Sequence, residues 1–235
     1  MRIGIAISLI LALSACEMTL PGEKSAPRPK PEVNKTTTTN VSARSFVGVV
    51  ERMEPVAERM CRSRAPKANC DFQIVVDTRK GQPPNAYQTE DKQGRPIIAF
   101  TVGLIAQAQN VDELAFVLGH EAAHHISGHL SRTRDTAVAG AMLGGILATL
   151  AGAGAKAIGT AQDLGATVGA RTYSKNFELE ADSLGTEIAF RAGYNPERGA
   201  QFFTRIPDPG DRFLGSHPPN ASRIQTVRTT LARLR

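Results

Sequence analysis

The stretch His120-Glu121-Ala122-Ala123-His124 sets two imidazoles four residues apart, with a carboxylate directly after the first. Four residues is just over one α-helical turn, so on a helix both rings leave the same face and can share one metal ion. The flanking sequence supplies that helix. Asp112 offers an N-cap, Leu114, Phe116, Val117, Leu118 and Ile126 supply apolar positions, and Gly128 lies near the end. Two histidines in this pattern suit zinc, and Glu121 is placed to act on a hydrolytic water. Two ligands leave such an ion short, because a catalytic zinc takes three protein ligands and keeps one position for water.

The third ligand has to come from elsewhere in the chain. A metzincin would need Gly at 127 and His at 130, where this chain has Ser127 and Leu130. Glu178 and Asp182, in Phe177-Glu-Leu-Glu-Ala-Asp182, are four apart on a later polar helix and share a face. Glu178 is the expected third ligand to one Zn²⁺ per chain, and Asp182 the acceptor that fixes the tautomer of a liganding imidazole. Glu180, between them, points elsewhere. His125 and His129 are also four apart, yet they fall on a different helical face with no evident acidic partner and read as structural or supporting residues.

The N-terminus speaks to compartment. Met1-Arg2 precedes an uncharged apolar run from Ile3 to Ala15, the length of a secretory signal and too short to span a bilayer comfortably. Leu13-Ser14-Ala15-Cys16 resembles a bacterial lipobox, so Cys16 is the expected lipidated first residue after cleavage of residues 1–15; the alternative is an ordinary signal peptide with a chance cysteine. Glu17 after that cysteine favours the outer membrane by resemblance to sorting rules. The remainder of 16–40 is Pro- and Thr-rich with few large apolar side chains, and reads as a disordered tether reaching about 25–30 Å. In an exported protein the remaining Cys61 and Cys70 are expected to pair, two buried thiols being the other reading; no CxxC spacing points to metal.

Between the tether and the C-terminus, the pattern alternates a few strands with several helices. Phe46, Val50, Met53, Val56, Ala57 and Met60 mark a first helix. Phe72–Asp77 predicts a strand with Phe72, Ile74 and Val76 inward, and Ile97–Val102 a second, with the Gly- and Pro-rich KGQPPNAY stretch turning between them. Residues 136–155 are free of charge for 20 positions, but their Ala/Gly content and the Gly140–Gly144 spacing favour packed helices near the site over a membrane span. Glu178–Ala192 predicts a helix stopped by Gly193, and Ile224, Val227, Leu231 and Leu234 mark a last one with its arginines mostly solvated. The expected fold is α+β, mainly α-helical, over 41–235, with a small sheet beside the HExxH helix. At 235 residues and 41% hydrophobic the chain is long enough for a core that needs no disulfide staple.

These motifs together resemble metallopeptidase family 48, the gluzincins of the HtpX and CAAX prenyl endopeptidase type. The resemblance runs from Asn85-Ala86-Tyr87 through the segment Asp112 to His125, Glu178 to Asp182, Arg191 to Pro196, and Ser216-His-Pro-Pro219 with Arg223-Ile224. With the lipobox and the cysteine pair, it is closest in kind to the small outer-membrane lipoprotein members; HtpX-type membrane helices and the repeat domain of larger members are missing. The resemblance implies a zincin-type domain in which Glu121 is the general base. It also implies that His217 either stabilises the oxyanion or closes the zinc position in a latent form, with Arg223 in support. In gluzincins an extended substrate adds to an edge strand, which here would be Ile97–Val102.

The implied function is zinc-dependent endoproteolysis of unfolded, misfolded or misassembled cell-envelope proteins, lipid-anchored at the outer membrane and facing the periplasm. Further assembly factors or proteases are implied as partners. The alternative is a zinc-containing holding or assembly factor for outer-membrane proteins with proteolysis suppressed. The net charge of +6 suits an anionic surface, but the basic residues are scattered and the export signal argues against nucleic acid.

Overall fold

The computed structural model describes residues 43–172, 174–208, 210 and 218–235, without the side chains of 171 and 172. The signal peptide, Cys16 and tether expected over 1–40, and His217, lie outside the described residues. Helix α1 (Ala43–Arg64) buries Phe46, Val49, Met53, Val56, Ala57, Met60 and Cys61, a stripe at helical spacing that continues past Pro55. Val49 takes the central place expected of Val50, which is only partly buried.

A three-stranded mixed sheet follows, with β1 (Gln73–Asp77) parallel and β2 (Ala86–Glu90) antiparallel to β3 (Pro96–Thr101). The order is β1-β3-β2. Three expectations are corrected here. The last two residues of the stretch expected to turn, Ala86 and Tyr87, open strand β2; Val102 opens helix α2 (Val102–Gln107) instead of closing a strand; and Ile97–Thr101 is central, so the edges are β1 and β2. The inward face of β1 also differs from its alternation, because Phe72 is buried while Val76 is exposed. Thr101 joins these parts: its hydroxyl accepts from the amides of Asn85 and Leu104, fixing the start of β2 and capping α2.

Helix α3 (Val111–Ile126) crosses behind the sheet, and Leu114 and Leu118 join Phe46, Met53, Phe72, Ile98 and Phe100 in the main core. Its N-cap is Asn110, not Asp112. The Asn110 side chain accepts from the Glu113 amide, and the Glu113 carboxylate accepts from the Gln109 amide in return, a reciprocal cap that also takes Arg205 at 2.6 Å. Asp112 instead ties the first turn to a distant loop, accepting from the Asn195 amide and pairing with Arg198.

Helix α3 stops at Ser127, Gly128 adopts a left-handed φ of 63°, and α4 (His129–Leu150) starts immediately in a new direction. With α5 (Ala155–Thr172) it forms an antiparallel hairpin whose backbones touch. A Cβ on Gly140 would meet the Gly165 carbonyl, and one on Gly144 the Ala161 carbonyl, so only glycine fits this seam. The bulky Met142, Leu143, Ile146, Leu147 and Leu150 face outward. No helix among the described residues is long and apolar enough to cross a membrane.

Helix α6 (Ser174–Arg191) packs along α3, followed by α7 (Pro196–Gly199), a 3₁₀ turn at Ala200–Thr204, and α8 (Asn220–Leu234). Phe116, Ala200, Phe203 and Val227 form a second, smaller core that holds α8 against α3. Cys61 and Cys70 are joined in a disulfide that closes the turn after α1. His125 braces that turn, with Nε2 2.7 Å from the Asn69 carbonyl and its ring edge-on to Phe72.

Candidate metal centre

Two helices build the site, and the absence of two side chains sets their distance. A Cβ on Gly119 would lie 2.7 Å from the Gly185 carbonyl oxygen, and one on Gly185 2.7 Å from the His120 amide nitrogen. Helices α3 and α6 therefore meet backbone to backbone. That approach brings Glu178, about two turns before Gly185 on α6, over the histidine face of α3.

His120 Nε2 and His124 Nε2 are 3.0 Å apart, and the Glu178 carboxylate stands 3.6 Å from the first and 3.4 Å from the second. Ligand atoms about 2.0–2.1 Å from a tetrahedral zinc are separated by about 3.3–3.4 Å along each edge. The three donors thus already stand at the spacing of one face of such a tetrahedron, and their chemistry, two imidazoles and a carboxylate, suits zinc. Among the described residues, this is the group of three metal-binding side chains whose ligand atoms gather within 4.8 Å.

Each imidazole is held from behind. His120 Nδ1 lies 2.9 Å from Asp182, whose carboxylate takes Arg223 through two nitrogens at 2.6 and 2.7 Å. Asp182 and Arg223 are both buried. Burial works against the Asp182 charge, but hydrogen bonds from Arg223 and His120 hold its pKa below the ordinary value. Burial likewise opposes the Arg223 charge, and Asp182 and Glu178 outweigh it, raising its pKa.

His124 has a different support. Its Nδ1 lies 2.9 Å from Nδ1 of His129, and His129 Nε2 lies 3.2 Å from the Glu180 carboxylate. Burial pushes His129 down to about 4, in spite of Glu180. On His124 itself burial opposes charge, while the Glu178 hydrogen bond and the Glu121 and Glu178 carboxylates raise the pKa.

Residues 49–231 match the sequence profile of peptidase family M48. The chain belongs to that family. The matched family is one of peptidases, and the curated relatives bear protease names. This M48 chain is 35% identical to the putative beta-barrel assembly-enhancing protease of Vibrio cholerae over 130 residues, 52% of this chain and 26% of that protein. It is 30% identical to the beta-barrel assembly-enhancing protease of Yersinia pestis over 138 residues, covering 53% and 28%, and 27% identical to that of Escherichia coli over 146 residues, covering 56% and 30%. It thus spans less than a third of the length of these curated relatives.

The M48 site opens into a cleft of about 710 Å³. His120, Glu121, His124 and Glu178 line it, Phe116, Phe177, Phe202 and Phe203 give it apolar walls, and Asn85 to Gln88 of β2 and its approach run along one side. Leu130 and Thr133 at the foot of α4 also line it, so the Ala/Gly-rich hairpin does begin beside the site. Of the sequence-derived residues, His120, His124, Glu178, Glu121, Asp182 and Arg223 come together here. Arg223 departs from the reading of the last helix's arginines as solvated, whereas Arg228, Arg233 and Arg235 are exposed as expected.

At three residues the structure departs from the sequence expectation or adds to it. Glu180 does not point away from the site's support: it contacts His129 and Arg132. His129 is not on a remote face, because the left-handed Gly128 breaks the helix and swings His129 back onto His124. The Ser127-Gly128 pair at the end of the periodic segment was the available signal, since glycine at a helix end marks a change of direction. Tyr87 was seen only as part of a motif, yet its strand forms a wall of the cleft.

Proposed function

We propose that this chain is a zinc-dependent endopeptidase that cleaves misfolded or misassembled cell-envelope proteins in the periplasm. The observation that carries the reading is the convergence of His120, His124 and Glu178 at zinc-site spacing on the floor of an open cleft. These three side chains would hold the ion. When bound, zinc polarises the scissile carbonyl and acidifies the hydrolytic water.

The protein's own groups do the rest. Glu121, next to a ligand and facing the cleft, takes the proton from the attacking water and delivers it to the leaving amine. Asp182, locked by Arg223, accepts from His120 Nδ1 and keeps Nε2 available as a ligand. Strand β2 is bonded on one side only, and an extended substrate adding to it would lie along the cleft. His217 stabilises the oxyanion or closes the site in a latent state; it lies outside the described residues, and its role rests on the family pattern around Ser216 to Pro219.

The cell-envelope setting rests on the N-terminal signal, on Cys16 as a lipid anchor at the outer membrane, and on relatives whose names join proteolysis to β-barrel assembly. Those names also favour a second reading, a zinc-containing holding or assembly factor with little proteolysis. A Glu121→Gln variant separates the two. We expect the purified chain to cleave casein only when zinc-loaded. Glu121→Gln should retain one zinc and lose activity by about 10²–10⁴-fold, the usual worth of a general base. Wild-type function retained by Glu121→Gln in cells would favour holding over cutting.

A further inference from the structure

We propose that His129 is a positioning residue for the metal site, which it serves by fixing the tautomer of His124. The inference rests on the reading of His120, His124 and Glu178 as zinc ligands and adds a residue that the HExxH pattern does not contain.

The argument is one of hydrogen-bond direction. A carboxylate accepts and does not donate, so the 3.2 Å contact between Glu180 and His129 requires the proton on His129 Nε2. A neutral imidazole with that proton has only an acceptor at Nδ1. The nitrogen 2.9 Å away, His124 Nδ1, must then be the donor. His124 with its proton on Nδ1 has a lone pair on Nε2, the atom that faces His120 Nε2 and Glu178. If the chain ran the other way, the proton would sit on Nε2 of His124 and remove it from the ligand set. Hydrogen positions follow here from the network itself.

The surroundings hold this relay in place. His129 is 3% exposed and stacks on the Phe177 ring at 4.5 Å and 11°. Arg132 lies over the same ring at 4.2 Å and reaches the same Glu180 oxygen at 3.0 Å. Each zinc imidazole is therefore backed by an acceptor anchored on an arginine: His120 by Asp182 and Arg223, His124 by His129 through Glu180 and Arg132. The difference is that His120 meets a carboxylate directly, while the carboxylate behind His124 acts through a second ring.

Zinc affinity, measured on the purified chain by competition with a chromophoric chelator, tests this. His129→Phe keeps the stack on Phe177 but offers no acceptor, and we expect zinc to bind about 10–100-fold more weakly while the zinc-free melting temperature stays close to wild type. His129→Asn sets an amide oxygen near the place of Nδ1 and should recover most of the lost affinity. Glu180→Ala, at a half-exposed position that folding tolerates, should weaken zinc several-fold by releasing the tautomer, and it decides the matter if His129→Phe does not fold. Wild-type zinc affinity in His129→Phe, or in Glu180→Ala, would overturn the inference and leave the metal site standing; so would an Asn variant as weak as the Phe variant. A wild-type chain that binds no zinc overturns the metal site and this inference with it.

Discussion

Asp182 and Arg223 form a two-point ion pair, 2.6 and 2.7 Å, with both side chains buried behind His120. They come from α6 and α8, 41 residues apart, so the pair joins α8 to the candidate metal site. Removing one partner strands the other charge. We expect Asp182→Ala to cost about 3–5 kcal/mol in urea unfolding of the zinc-free protein, and Asp182→Ala with Arg223→Leu to cost less than the single change. A double variant weaker than the single would sink this account.

Gly185→Ala sets two effects against each other. Alanine is favoured over glycine within a helix by about 1 kcal/mol, but its methyl would lie 2.7 Å from the His120 amide nitrogen on a packed neighbour. Overpacking of this kind costs about 1–3 kcal/mol, and backbone cannot swing aside as a side chain can. We expect a lower melting temperature and weaker zinc binding together, because the methyl pushes Glu178 away from both histidines. A raised melting temperature would show that α3 and α6 are less tightly seated.

The acid response of Asp77 has a definite sign. Its carboxylate takes the Arg79 guanidinium and amide, and the Tyr87 hydroxyl, which holds its pKa well below the usual carboxylate range. A depressed folded pKa contributes stability at pH above the unfolded value, about 3.9, and loses it as pH falls below that. The melting temperature of wild type should therefore exceed that of Asp77→Asn at pH 6, and the gap should narrow steadily below about pH 4. A gap that widens toward acid would contradict the assignment.

The Cys61–Cys70 bond closes a short loop, nine residues in separation. Chain-entropy arguments give such a loop about 2–3 kcal/mol of stabilisation through the unfolded state. Cys61→Ala with Cys70→Ala should lower the urea midpoint accordingly, and reduction of wild type should reproduce the shift. An unchanged midpoint on reduction would show that His125 and the packing of Phe72 hold the turn without it.

The grouping of the candidate ligands is legible in the sequence because its signals are local. His120, Glu121 and His124 sit within five residues, and Glu178 and Asp182 within one turn, so helical spacing alone puts them on faces. What escaped depends on chain reversals and long-range partners. Strand β2 is half-buried along most of its length and carries no alternation to read, while the central place of β3 follows from pairing on both sides, which its own residues do not announce. The cap of α3 was misassigned by two residues because Asn110 and Asp112 are both good caps, and only the Glu113 reciprocity chooses between them. Periodicity alone puts Arg223 with the solvated arginines of its helix, because its partner is on another helix, and only the family resemblance gives it a supporting role; extending α3 through Gly128, which ends it, misplaces His129.

Gly128 is also the corner from which α4 departs. Counted at 1.5 Å per residue, the 22 residues of α4 make an arm of about 33 Å from that corner to Leu150. A tilt of about 10° there would carry the far end about 6 Å, yet would move a ring about 5 Å from the corner by less than about 1 Å on the same α-helical dimensions. Any tilt of the hairpin about that corner would thus reach His129, at the short end of the arm, strongly attenuated.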